Sequence, residues 1–283
     1  MSEDNPGEYF LTCRDYTVSG KEFDLYWNEE KDILKTFPEP SSTELPSYYK
    51  SEDYISHTDS SKSITDKIYQ KVKNHMLSFK LKLIENYFTS PKILDVGAGT
   101  GDFLKAAKDK NWEVSGVEPN SQARNLASKK GIDLSASLDN FGNKKFDVIT
   151  LWHVLEHLSD LENKIENFYS LLQDEGIILI AVPNFKSYDA RYYKKYWAAY
   201  DVPRHLWHFS EEGIKRIFSN YNFKLIETKP LIFDSFYVSL LSEKYKAGRT
   251  NYLNAFIRGL VSNLKARKNN EYSSKIYIFQ RNN

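Results

Sequence analysis

The chain has 283 residues, of which 41% are hydrophobic and 27% charged, with a net charge of +1; this excludes a disordered chain and a whole-chain basic footprint for nucleic acid. One cysteine, Cys13, excludes a disulfide framework and a cysteine zinc site within the chain. No apolar run is long enough to span a bilayer, and the acidic opening MSEDNPGEYF is unlike a secretory signal, so the expectation is a cytoplasmic protein without stable membrane insertion.

Residues 1–61 read as turns and short strands, with the Pro/Ser/Tyr-rich stretch FPEPSSTELPSYYKSEDY. Residues 62–88 have a helical pattern, with Ile64, Ile68, Val72, Met76, Phe79 and Leu83 near one face. Then the rhythm alternates. PKILDVGAG is a buried strand ending in glycines, DFLKAAKDK a helix, WEVSGVEP a strand and SQARNLASKKG a helix closed by glycine. IDLSAS is a candidate third strand and FDVITLW the fourth. LSDLENKIENFYSLLQ is a helix, GIILIAVP the fifth strand, EEGIKRIFSNY a helix and FKLIETKPL a strand. SKIYIFQR closes the chain as a strand. Strands alternating with helices predict an α/β fold, a parallel sheet covered on both faces.

The loop LDVGAGTGDF carries the strongest signal. Gly97, Gly99 and Gly101 lie between a strand and a helix. Glycines let the backbone turn tightly and approach a ligand, and the helix start that follows offers free N–H groups to an anionic group. The spacing is G-x-G-x-G, not the dinucleotide G-x-G-x-x-G, and Asp95 stands two residues before the first glycine. Glu118 ends the second strand, where an acid can hold ribose hydroxyls.

With ILDVGAGTG, GVEPN and FDVITLWHVLEHL in this order, the chain resembles the class I S-adenosylmethionine-dependent methyltransferases over residues 90–230 and the final strand. The resemblance implies a Rossmann-like sheet of seven strands, the last antiparallel, and S-adenosyl-L-methionine as cofactor. It implies that Asp95 and the three glycines hold the methionine part and Glu118 the ribose. It places Asp139 at the adenine, with Leu138 and Asn140 as alternatives, and Leu151 and Trp152 beside the methionyl group.

His153, Glu156 and His157 follow the fourth strand, at the sheet edge where open α/β folds bind ligands. On a helix, positions i, i+3 and i+4 share a face. The pattern is not H-E-x-x-H and no third ligand is near, so no zinc site is expected. Three readings stand: a histidine general base for a hydroxyl acceptor, a divalent ion on the helix face, or a brace beneath the cofactor. The segment is similar to the E-x-x-E-H helix of the quinone-biosynthetic O-methyltransferases, with His153 in place of the first glutamate. A second cluster, YYKKYWAAYDVPRHLWHFS, offers aromatic walls for an acceptor pocket and His205 as a further catalytic candidate. Ser210 reads as a helix N-cap, with His208 packed at the turn. This PRHL-x-HFS stretch is similar to a bacterial methyltransferase-domain subfamily whose N-terminal module is often a zinc ribbon. Here only Cys13 remains, so the module is expected to be degenerate and metal-free. Tyr48, Tyr49 and Tyr54 either lid the site or pack on the helix over 62–88.

Residues 241–270 hold seven Lys/Arg and one acid, a balance of +6. Leu253, Phe256, Ile257, Leu260, Val261 and Leu264 mark one face of a helix there. Such a helix lies on a membrane, meets an anionic acceptor, or serves as a lid or homodimer element; the last is the reading adopted. The expected layout is a ribbon-like module over 1–61, a methyltransferase core over 62–240, a helical insertion over 241–272 and the last strand of the core over 273–283. The expected activity is methyl transfer to a small-molecule or glycan-precursor acceptor, at oxygen, with no nucleic-acid partner. The alternatives are C-methylation of a sugar nucleotide, a nicotinamide oxidoreductase, and a non-catalytic interaction protein that keeps the cofactor fold.

Overall fold

The structure, a computed structural model, describes residues 7–41, 43–49 and 64–282. Tyr54 lies outside the described residues. The N-terminal stretch, expected as turns with short strands, is an antiparallel meander of β1 (Glu8–Arg14), β2 (Glu22–Trp27) and β3 (Ile33–Phe37). Alternation along β2 sends Phe23 and Leu25 inward beside Cys13. Helix α1 (Ile64–Glu85) follows, and its last turns bury Leu81, Leu83 and Ile84 against the second sheet.

The next elements alternate as the pattern predicts: β4 (Lys92–Val96), α2 (Asp102–Lys108), β5 (Glu113–Val117), α3 (Ser121–Ser128), β6 (Phe146–Trp152), α4 (Leu161–Leu171) and β7 (Leu172–Pro183). Then come α5 (Tyr188–Tyr193), β8 (Trp207–Phe209), α6 (Glu211–Ser219), β9 (Phe223–Pro230), α7 (Asp234–Ala247), α8 (Tyr252–Asn269) and β10 (Ser274–Arg281). The Ser210 hydroxyl caps α6 by accepting from the Gly213 N–H at 3.1 Å.

The second sheet has the order β5-β4-β6-β7-β10-β9. Strands β5, β4, β6 and β7 are parallel, and β10 inserts antiparallel between β7 and β9. Ile149, Leu151, Ile178 and Ile180 are fully buried, as a doubly covered sheet requires. Winding runs from β4 to β5 on one side and on to β6 at the other. The carboxyl ends of β4 and β6 therefore flank a switch point, where such sheets bind ligands.

Two expectations need correction. The sheet has six strands among the described residues, not seven: IDLSAS contributes a single parallel bridge, Val117 to Ser135. Its serines bond locally, with the Ser135 hydroxyl donating to the Ser137 carbonyl and the Ser137 hydroxyl accepting from the Asp139 N–H, and so compete with a longer ladder. The helical segment before the last strand is two helices, and the first begins at Asp234, ahead of the expected insertion.

The two sheets meet through β8. It pairs antiparallel with β3, Leu34 opposite His208, and closes the four-stranded sheet. Arg204, just before β8, is buried and crosses the junction. Its Nε donates to Asp201 Oδ2 at 2.9 Å, its Nη1 to the Tyr48 carbonyl at 3.2 Å, and both Nη atoms reach Asp15 Oδ1 at 3.4 Å. Truncating one partner of a buried ionic network leaves the others uncompensated. Arg204→Ala is expected to destabilise the fold by about 3–5 kcal/mol, read as a lower urea midpoint. A midpoint equal to the parent's would show that the junction does not depend on Arg204.

Candidate active site

The glycine loop leaves β4 and is pinned to β5. The Gly97 and Ala98 N–H groups donate to the Val117 carbonyl at 2.8 and 2.9 Å. Gly97, Gly99 and Gly101 have φ of 71°, 53° and 74°, which only glycine adopts freely. A Cβ on Gly99 would meet nothing within 4 Å, so the loop has an open side there. A Cβ on Gly97 would lie 2.4 Å from Val154, so the turn after β6 leans on the loop. Glu118 closes the other flank: Oε2 accepts from the Gly99 N–H at 2.9 Å and Oε1 from the Asn120 N–H at 2.8 Å. Each oxygen keeps a lone pair for a ligand hydroxyl. An open glycine face beside a carboxylate fits a cofactor that presents an amino-acid end and a ribose.

Asp95 is buried beneath the loop and accepts from the Thr150 hydroxyl at 2.6 Å. Burial raises its pKa to about 7, against the opposing pull of Thr150 and Lys80. Leu151 is fully buried inside the sheet core, and Trp152 turns to the opposite cluster, edge-on to Phe103. The Trp152 Nε1 is buried without a partner, and Lys80 of α1 sits 4.2 Å over the ring. Asp139 is exposed and accepts from the Ser137 hydroxyl in its own turn; Asn140 donates to the Ser135 hydroxyl.

The HVLEH segment is not the helix that the spacing suggests. His153 takes φ +58° and donates its N–H to the Ala181 carbonyl, and Leu155–His157 forms one 3-10 turn. Positive φ at His153 breaks the i, i+3, i+4 face: the two histidine rings part, while each stays near Glu156. The His153 ring goes outward, with Nε2 3.0 Å from Asp234 Oδ2 and Nδ1 3.4 Å from Glu156 Oε1. His157 goes to the second cluster instead.

His157 and His205 rings meet edge to face, with centroids 4.6 Å apart. His157 Nδ1 donates to the Arg204 carbonyl at 2.9 Å, and Tyr49 Oη lies 3.1 Å from the same nitrogen. His205 Nδ1 donates to the Ala199 carbonyl at 2.9 Å. A carbonyl only accepts, so both Nδ1 atoms carry a proton, and the neutral form of either ring would have a bare Nε2. His208 is buried and committed elsewhere. The Thr36 hydroxyl donates to the His205 carbonyl at 2.6 Å and accepts from His208 Nε2 at 3.0 Å.

Glu156 is 1% exposed, and neither carboxylate oxygen has a hydrogen-bond partner. Burial opposes its charge, but His153, His205 and His157 outweigh that and hold the carboxyl below its ordinary range. For His153, burial is outweighed by Asp234 and Glu156, and the imidazole is raised to about 10. Burial and then His157 push His205 down to about 4, so that ring is neutral at pH 7. One donor atom each from Glu156, His157 and His205 lies within 4.8 Å of the others. His205 is thus the third metal-ligating group that the sequence pattern lacked.

Sequence reasoning missed Tyr49 as a His157 partner, Asp234 as a His153 partner, Arg204, Asp201 and Lys80. Arg204 and Asp201 lie in the PRHL-x-HFS stretch and just before it, but nothing there marks which partners they take. Lys80 looks like one more charge on the polar face of a helix, and Asp234 is remote in sequence from His153.

Over residues 69–228, more than half of the chain, the sequence matches the family described as Methyltransferase domain. An uncharacterized methyltransferase of Oceanobacillus iheyensis is 31% identical over 147 residues, 50% of this chain and 68% of that protein. A ubiquinone biosynthesis O-methyltransferase of Actinobacillus pleuropneumoniae is 30% identical over 107 residues, 33% of this chain and 46% of that protein, so the chain spans under half of its length. Magnesium protoporphyrin IX methyltransferase from Synechocystis, solved with bound S-adenosylmethionine, superposes with a TM-score of 0.51 at 12% identity, over 84% of this chain and 96% of that one, a likeness of fold alone. The chain belongs to the methyltransferase domain family and is a class I S-adenosyl-L-methionine-dependent methyltransferase.

Proposed function

We propose that the enzyme methylates an oxygen of a small-molecule or glycan-precursor acceptor, with His157 as general base. The observation that carries this reading is the pair of facing imidazoles, His157 and His205, each held in the tautomer that leaves Nε2 bare. A sulfonium methyl is electrophilic, and that is the chemistry the bound cofactor supplies. A hydroxyl acceptor must still lose its proton, and a neutral imidazole near pH 7 accepts it. His205 is the poorer candidate, because burial and its neighbour hold it near 4, too low for a strong proton acceptor. Glu156, buried among the histidines, favours the imidazolium that forms on His157. The Arg204 carbonyl and Tyr49 fix the ring's orientation. His153 is assigned no base role, since its ring is held protonated between Asp234 and Glu156.

Toward the cofactor, we assign Gly97, Gly99 and Gly101 to the amino-acid end and the free lone pairs of Glu118 to the ribose hydroxyls. Asp95 supports the loop from below. Asp139, with Leu138 or Asn140, remains the proposed adenine contact.

Three measurements test these roles. Glu118→Ala removes charge-assisted bonds of about 1.5–3 kcal/mol, so calorimetry should show S-adenosylmethionine binding weakened by roughly ten- to a hundredfold. Parental affinity in a folded variant would remove Glu118 from the site. His157→Ala should lower turnover by about 10²–10⁴ with cofactor affinity unchanged, measured with labelled cofactor and an acceptor recovered from cell extract. Unchanged turnover at every pH would sink the base assignment; a collapse of cofactor affinity would make His157 a brace. His153 has a folded pKa raised above its ordinary 6.5, so its ion pairs stabilise fully below that value, persist across neutral pH and are lost as pH rises through about 10. NMR should find its ring protonated at pH 8 in the parent. In Asp234→Asn the ring should titrate at least about one unit lower. An unmoved titration would dissociate Asp234 from His153.

A further inference from the structure

Helix α8 turns its large apolar residues outward. Its inward stripe is small: Ala255, Gly259, Ser262 and Ala266 are buried against α7 and α5. A Cβ on Gly259 would lie 2.7 Å from the Phe236 ring and 3.0 Å from its Cα, so the approach tolerates nothing larger. The Ser262 hydroxyl bonds Asp189 at 2.6 Å and the Ser235 hydroxyl the Gly259 carbonyl at 3.2 Å. These contacts fix the rotation of the helix and send its apolar stripe outward. Leu253 is 71% exposed and Phe256 57%, and Ile257, Leu260 and Leu264 continue the row. A contiguous exposed stripe of this kind marks an interaction surface.

Charge decides what covers it. Lys244, Arg249, Arg267 and Lys268 are exposed on the same hairpin. The only acid of 241–270, Glu243, is buried, where Oε1 accepts from the Tyr193 hydroxyl and the Asn254 amide. The segment carries +6 and the whole chain +1, so all other residues sum to −5 (+1 less +6). A second copy seated on this stripe would bring like charges together. An anionic surface with an apolar interior satisfies both halves, the row of large side chains and the cations around it. We infer that α7 and α8 form a peripheral docking surface for an anionic lipid bilayer. The negative remainder of the molecule is repelled by such a bilayer and turned away from it. The hairpin begins at Asp234, which holds His153, so docking sets the candidate active site beside the membrane.

The test needs no acceptor, so its outcome is separate from that of the proposed methyl transfer. The full chain is sedimented with vesicles of phosphatidylcholine alone and of phosphatidylcholine containing about one-third phosphatidylglycerol. Binding to the anionic vesicles should exceed binding to the neutral ones by about tenfold or more and fall with salt. Leu253→Ser with Leu260→Ser should reduce it by at least about tenfold, with unchanged melting temperature and sedimentation coefficient, because both residues are exposed. Arg267→Glu with Lys268→Glu should weaken binding and flatten the salt dependence. The inference is overturned if the parent does not bind anionic vesicles, or if the serine variant binds like the parent. A parent that sediments as a dimer and dissociates in the serine variant overturns it too, and assigns the stripe to a second copy.

Discussion

Three residues of strand, Trp207–Phe209, hold the candidate site together. On one edge β8 pairs with β3 of the N-terminal sheet, and just before it the Leu206 N–H donates to the Glu156 carbonyl at 2.8 Å. The chain thus runs between the N-terminal sheet and the turn after β6. That position brings His205 against His157 and lets the Arg204 carbonyl accept from the His157 ring. Without the N-terminal meander β8 would be an edge strand too short to stand alone. The meander is therefore part of the active-site architecture, although the family match begins only at residue 69.

The turn after β6 carries the second constraint. Positive φ at His153 is uncommon for a residue with a Cβ and is held here by the Ala181 carbonyl on one side and Asp234 and Glu156 on the other. The consequence is a division of labour among three histidines. His153 is a fixed cation that neutralises two carboxylates. His205 stays neutral and meets the His157 ring edge to face. A buried carboxylate with no hydrogen-bond donor would ordinarily take up a proton; Glu156 remains charged chiefly because the protonated His153 ring lies beside it. That stored negative charge is what a proton arriving on His157 would meet.

The same logic of small residues inside and large ones outside shapes the α7–α8 hairpin. Close packing at Gly259 leaves the bulky side chains no inward position. A helix read from the sequence as a lid or homodimer element thus leaves its apolar stripe exposed.

The sequence by itself determined the alternation of strands and helices and the glycine loop, because each is written in local periodicity and in spacing across a single strand–turn–helix unit; the reversed last strand followed from the family resemblance. It also brought Glu118 to the loop, since adjacent parallel strands end together. Tertiary structure decided the rest. It reduced IDLSAS to one bridge, because serine side chains satisfied the backbone locally. It broke the HVLEH helix, because one backbone angle at His153 depends on partners from β7 and α7. It brought His205 edge-on against the His157 ring, because a strand pairing with residues some 170 positions away fixes where the 199–209 segment lies. Side-chain direction across such distances is set by packing, and no local pattern encodes it.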